Sequence, residues 1–216
     1  MDKSEGDYIV RAKQLMGLFL VAGSCFFSDL HAESAEDLSL VAAATASNWH
    51  ACHSPLGNCS LEFPVAPSRL ADKIKAKESG LDVHYDAFVT SGSTSLKNES
   101  SDAVTYMFLV TQYPEFVDDS YAKMGLESFL NGLINRSSSH ELLRAQLTLV
   151  EGNEALDFLI RAGTKFFSGR AVTLKNNLYL LAMECEIPSY SANEENYQRF
   201  LSSFKLQTNP VQGKQK

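Results

Sequence analysis

The sequence predicts an α+β fold, an antiparallel β-sheet with helices packed on its faces. Between Leu142 and Cys185 four β-rich segments follow one another through short connections, Glu151–Gly152–Asn153, Gly163–Thr164 and Lys175–Asn176–Asn177. Connections this short force antiparallel neighbours. Two other segments carry a single apolar stripe at helical spacing. Such a stripe must cover something, and a sheet face is the available partner. The chain has 216 residues, 44% apolar and 21% charged, enough for one ordinary core.

The N-terminal part reads as an export segment. Leu15 to Phe27 is a 13-residue run without charge behind Arg11 and Lys13. It falls short of the ~20 residues that cross a bilayer and fits the apolar region of a signal peptide. Ala32 is the residue before the expected cut, so 1–32 is read as a signal peptide and 33–48, rich in alanine and small polar residues, as a linker. The competing reading is a buried N-terminal helix. Ala22–Gly23–Ser24–Cys25 also has the shape of a bacterial lipobox, with Ala22 where a large aliphatic is usual, which makes Cys25 a lipidation candidate and a lipid tether an open alternative. After Phe27 no apolar run approaches membrane length, so no transmembrane helix is expected in the mature chain.

The folded domain is expected over 49–206 and a disordered tail over 207–216. Asn58 to Phe63 reads as a short strand stopped by Pro64. Asp82 to Thr90 alternates, with Val83, Tyr85, Ala87 and Val89 on one side and Asp82, His84, Asp86 and Thr90 on the other, a half-buried strand. After a polar loop over 91–102, Ala103 to Tyr113 is apolar on both faces, as in a central strand. Asp118 or Asp119 is placed to cap a helix running to about Arg136, whose stripe is Leu126, Phe129, Leu130, Leu133 and Ile134. The meander follows, Leu142 to Val150, Ala155 to Ala162, Lys165 to Leu174 and Leu178 to Cys185. Ser191 and Glu194 have capping-box spacing before a last helix with Tyr197, Phe200, Leu201 and Phe204 on one stripe.

With this order in place, Ser54–Pro55–Leu56–Gly57–Asn58–Cys59–Ser60–Leu61–Glu62–Phe63–Pro64–Val65–Ala66–Pro67 resembles the opening of PsbP-like domains, a superfamily that includes LpqN-type and DcrB-type bacterial lipoproteins. Arg199–Phe200–Leu201–Ser202–Ser203–Phe204–Lys205–Leu206 resembles its close, and Gly169–Arg170 and Leu178–Tyr179–Leu180 fall where the family has similar strands. The resemblance covers about Trp49 to Leu206. It implies a sheet sandwiched by helices and an extracytoplasmic accessory, binding or assembly role, with no shared catalytic residues.

Composition narrows the function classes. There are 19 Lys and Arg against 26 Asp and Glu, a net charge of −7. Removing 1–32 takes away three of the basic and four of the acidic residues, leaving 16 and 22, a net −6. An acidic chain without a basic run lacks the footprint of a nucleic-acid or polybasic membrane-surface binder.

Four residues could carry chemistry near the domain's start: His50, Cys52, His53 and Cys59. A type I turn over Ser54–Gly57 would set Cys52 opposite Cys59, and in an oxidising compartment the pair is a disulfide candidate. Free thiols and a soft metal site are the alternatives, although the spacing is not a standard zinc pattern. Cys185 alternates with Tyr179, Leu181 and Met183 and reads as a core thiol. His84 and His140 read as surface residues. Ser137, His140 and Glu141 are near in sequence, which does not make a triad, and hydrolase, phosphate-loop and zinc-protease motifs do not occur.

The expectation is a non-enzymatic exported protein, periplasmic, envelope-associated or secreted, without cofactor or metal, binding an envelope protein or a small apolar ligand. An envelope hydrolase or thiol-redox protein using Cys52 and Cys59 is the alternative, and a secreted effector a further one. A cleft gathering nucleophile, base and oxyanion donors would favour the enzyme. An apolar groove would favour binding.

Overall fold

Ten strands and two α-helices order the described residues, which in this computed structural model are 49–75, 80–90, 104–114 and 119–207. The expected signal segment 1–32 with Cys25, the linker 33–48, the loop 91–102, Phe116, Asp118 and the tail 208–216 lie outside them.

The strands are β1 (His50–Ser54), β2 (Cys59–Phe63), β3 (Ser68–Lys75), β4 (Asp82–Val89) and β5 (Thr105–Gln112). Helix α1 (Ala122–Ile134) precedes β6 (His140–Val150), β7 (Asn153–Ala162), β8 (Lys165–Leu174) and β9 (Asn177–Glu186). Helix α2 (Tyr190–Ser202) and the two-residue β10 (Lys205–Leu206) end the domain. Seven strands form one antiparallel sheet in the order β3-β4-β5-β9-β8-β7-β6, and β1-β2-β10 form a second. The meander β6 to β9 is as expected from its short connections; Gly163 in the two-residue turn adopts φ 65°, open to glycine at little cost.

Alternation along the central strands sorts side chains into two clusters. Met107 and Leu109 of β5 and Leu178, Leu180 and Ala182 of β9 bury with Leu126, Phe129, Leu130 and Leu133 of α1. Tyr106, Phe108 and Val110 of β5 and Tyr179, Leu181, Met183 and Cys185 of β9 bury with Tyr197, Phe200 and Leu201 of α2 and with Cys59, Leu61 and Phe63 of β2. Adjacent strand residues point to opposite sides, so these are opposite faces of the larger sheet. Each fully buried aromatic or aliphatic side chain contributes roughly 1.5–3 kcal/mol of hydrophobic stabilisation. Ring contacts tie the layers: Phe129 to Phe158 at 6.3 Å in one, Phe108 to Phe204 at 5.8 Å in the other. Gly169 lets the Phe158 ring lie directly on the β8 backbone, where a Cβ would collide with it.

Several local expectations are corrected. Helix α1 begins at Ala122 behind a 3-10 turn, Asp119–Tyr121, with Tyr121 at the cap position and no side-chain cap bond. The Ser191–Glu194 capping box does not form. A 3-10 turn over Ile187–Ser189 leads into α2, and Pro188 suits such a first turn, so Ser191 and Glu194 lie within the helix. The last helix stops at Ser202, and Lys205 and Leu206 pair with Ser60 and Cys59. Gln207, assigned to the tail, is held by Asn58 through hydrogen bonds of 2.8 and 2.6 Å.

Candidate functional site

The cysteine-bearing hairpin is where local expectation and structure part most clearly. The turn between β1 and β2 spans Pro55–Asn58, so Ser54 pairs with Cys59, His53 with Ser60 and Cys52 with Leu61. The register is two residues away from the one that sets Cys52 against Cys59. Both thiols still face the same side, but as diagonal neighbours, whose Cα atoms in a ladder sit about 7–8 Å apart, past the ~7 Å that a disulfide spans without backbone movement. Cys52, Cys59 and Cys185 are all free thiols here, with no bond between the expected pair.

Tertiary contacts set that register. Ser54 is fully buried; its Oγ accepts from the Gly57 N–H at 3.3 Å and donates to Asp86 Oδ2 at 2.6 Å. Tyr179 donates its hydroxyl to the Gly57 carbonyl at 3.0 Å. A Cβ on Gly57 would sit 2.7 Å from the Tyr179 ring and 2.9 Å from Val110, so only glycine lets the turn come down on the sheet. Asn58 then takes a left-handed conformation, φ 46°.

Asp86 is the centre of this node. It is wholly buried, although its position on β4 reads as the polar side of a half-buried strand. The β1–β2 sheet covers that side, as the Phe63–Phe88 ring contact at 6.5 Å records. Arg69 of β3 donates to it from Nε at 2.7 Å and Nη2 at 3.1 Å, and its guanidinium lies 5.5 Å from the Phe88 ring centre. The hydrogen bond to Asp86 raises the Arg69 pKa, with burial opposing. Burial, with Asp86 adding to it, pushes the Cys59 thiol up to about 12. Burial raises Cys52 as well. A nucleophilic or redox cysteine needs the reverse, a thiolate favoured by its surroundings.

The proposed ligand set is divided. His53 faces away from Cys52 and Cys59, because strand residues alternate. Among the described residues no three His, Cys, Asp or Glu side chains gather closely enough to hold a metal ion.

An apolar cavity lies elsewhere, between the C-terminal end of α1 and the sheet. Its volume is about 220 Å³. Leu133, Ile160, Ala162 and Phe167 form its apolar walls, and Arg136, Ser137, His140 and Glu184 its polar rim. His140, read as a surface residue, serves the helix end: its Nδ1 lies 2.8 Å from the Leu133 carbonyl, one of the acceptors a helix leaves over. Ser137 Oγ bonds Ser139 Oγ at 2.9 Å, and Glu184 accepts from Lys165 at 2.7 Å, raising the lysine pKa. A serine, a histidine and a glutamate thus line one cavity, yet each is engaged elsewhere. Sequence reasoning did not find this site because its lining comes from α1, β6, β7, β8 and β9 and from the connection after α1. His84, exposed on β4, lines a second, more open and polar hollow with Lys75, Asp82, Gln112 and Asn176. No helix among the described residues is long and apolar enough to cross a membrane.

No protein-family model matches this sequence, and no curated protein matches it either. Solved structures similar to it include that of cyanobacterial PsbP (CyanoP) from Synechocystis sp. PCC 6803, at 13% identity and a TM-score of 0.47, covering 79% of this chain and 99% of that one. A Pseudomonas aeruginosa protein of unknown function is similar at 10% identity and a TM-score of 0.35, covering 76% and 99%. A Bacteroides thetaiotaomicron protein is similar at 10% identity and a TM-score of 0.34; 74% of this chain is covered and 48% of that one.

Proposed function

We propose that this chain is a non-enzymatic, exported binding or accessory module of the bacterial cell envelope, built on a PsbP-like sandwich, whose ligand or partner presents a small apolar group. The cavity under the end of α1 carries the reading. Its walls are apolar, its polar groups sit at the rim, and Ser137, His140 and Glu184 are bonded to other partners rather than to each other. Its 220 Å³ exceeds the cavity of about 150 Å³ that admits benzene and is smaller than most drug-sized pockets. The occupant is therefore a single ring or a branched aliphatic group, either free or as the side chain of a partner.

Indole is a suitable probe. Saturating indole should raise the melting temperature of the protein, as any ligand of the native state does. Ala162→Phe, which fills the cavity, should abolish the rise. An unchanged melting curve for the wild type in indole would overturn the reading. The PsbP-like part rests on the resembling stretches, whose Phe63, Phe200 and Phe204 are core residues. The exported part rests on the uncharged run Leu15 to Phe27 and is tested by N-terminal sequencing of the protein recovered from cells. An intact Met1 on cytosolic material would overturn it, and acyl mass on Cys25 would select the lipid-tethered form.

A further inference from the structure

Strand β6 is the outermost strand of the large sheet and pairs with β7 alone. It is 11 residues long, and its other backbone edge is met by no strand among the described residues. Long open edges invite pairing, and proteins blunt them with charge, proline or bulges. β6 has such devices only at its start, the charges of Glu141 and Arg144 and a register shift between Leu142 and Arg144. Beyond Arg144 the run Ala145–Gln146–Leu147–Thr148–Leu149–Val150 holds no charge and no proline. Leu147 and Leu149 are 41% and 64% exposed. Leu147 pairs with Leu156 and Ala145 with Phe158, so Ala145, Leu147 and Leu149 form a row on the side that α1 covers farther in.

We propose that two copies of this chain associate through β6, antiparallel about a two-fold axis at Leu147, joining their sheets into one. The strand's own sequence selects this occupant. With Leu147 opposite Leu147 of the second copy, Ala145 faces Leu149, a small residue against a large one, on both sides of the axis. On the other face Gln146 meets Thr148 and Arg144 meets Val150. No charge meets a like charge in this register, and every pair lies on a matching face, because all seven positions follow the bulge. An isologous contact of this kind closes on itself and leaves no further edge at β6. The inference is independent of the cavity.

Sedimentation velocity on the intact protein, from low to high micromolar, tests it. A concentration-dependent shift to twice the monomer mass is expected. Leu147→Lys sets two ammonium groups across one ladder position and should abolish the dimer over that range while leaving the melting temperature of the monomer within a few degrees. Register is read with cysteines: Leu147→Cys should cross-link to itself under mild oxidation. Ala145→Cys should cross-link only when mixed with Leu149→Cys. A monomer at every concentration would overturn the proposal. So would a dimer that survives Leu147→Lys, or Ala145→Cys cross-linking to itself as readily as Leu147→Cys.

Discussion

The two outer strands of the large sheet meet the same problem differently. β3 carries Arg69, Asp72, Lys73 and Lys75 within eight residues, with Lys73 paired to Asp82 at 2.7 Å. Its arginine also reaches inward to Asp86, and the β1–β2 sheet meets β4 beside it through Ser54 and Phe63. β6 carries Glu141 and Arg144 at its start, with Glu141 held by Arg161, and then only neutral residues with leucines exposed. One edge is guarded by charge and tied into the buried interior. The other is left apolar and without a strand partner on its outer side among the described residues. An edge strand therefore has two uses in this molecule: β3 anchors a second layer, and β6 is available to another strand.

The contrast can be broken most severely at Arg69. Arg69→Met leaves the Asp86 carboxylate, 1% exposed, with Ser54 as its remaining donor. Removing the counter-ion of a fully buried pair costs about 3–5 kcal/mol; with Arg69 46% exposed the loss is smaller, and urea melts should show about 1–3 kcal/mol. Arg69→Met combined with Asp86→Leu should recover most of it, since an apolar pair of similar volume can replace a buried ion pair. If the double variant is as unstable as the single one, the node holds the layers by shape rather than by charge.

A smaller effect separates the thiols under that layer. Cys52, half-buried at the β1 edge, should react with a thiol reagent in the native protein, while buried Cys59 and Cys185 wait for denaturant. The raised Cys59 pKa has a defined consequence for stability. The unfolded thiol ionises near 9.0 and the folded one only near 12. Its contribution is therefore fully present below about pH 9 and is lost as pH rises toward 12. Tyr179 behaves likewise, its hydroxyl pushed up to about 12 by burial. Cys59→Ala should lose less stability than the wild type between pH 9 and 12, measured as the difference between two alkaline melting series.

The smallest expected change is at the β6 edge. Leu149→Lys on β6 should alter the stability of the monomer by about 0.5 kcal/mol or less, the usual range for an exposed site. A cost well above that, in the monomer, would mean that β6 is covered from within the chain.

The meander was legible because its evidence is local. Turn residues at 151–153, 163–164 and 175–177 fix hairpins whatever surrounds them. The stripes of α1 and α2 were legible for the same reason, since helical period is a property of neighbouring residues. β1 and β3 were not legible as strands. His50–Ser54 is short and mostly exposed, and β3 is exposed at nearly every position, so neither shows the apolar alternation that marks a half-buried strand. The cavity could not be read at all, because Leu133, Ile160, Phe167 and Glu184 lie on different elements.

What the sequence determined by itself, then, was the α+β class, the order of most elements and the stripes that form the core. These follow from side-chain period and turn chemistry within a few residues. The tertiary structure alone decided the register of the first hairpin, the burial of Asp86 and the placement of Cys52 and Cys59 relative to each other. A two-residue slip keeps every side chain on its own face, so the apolar pattern cannot choose between the two registers. The choice falls to contacts from far along the chain: Tyr179 on the Gly57 carbonyl, Val110 and Tyr179 against the Gly57 backbone, and Asp86 on the Ser54 hydroxyl.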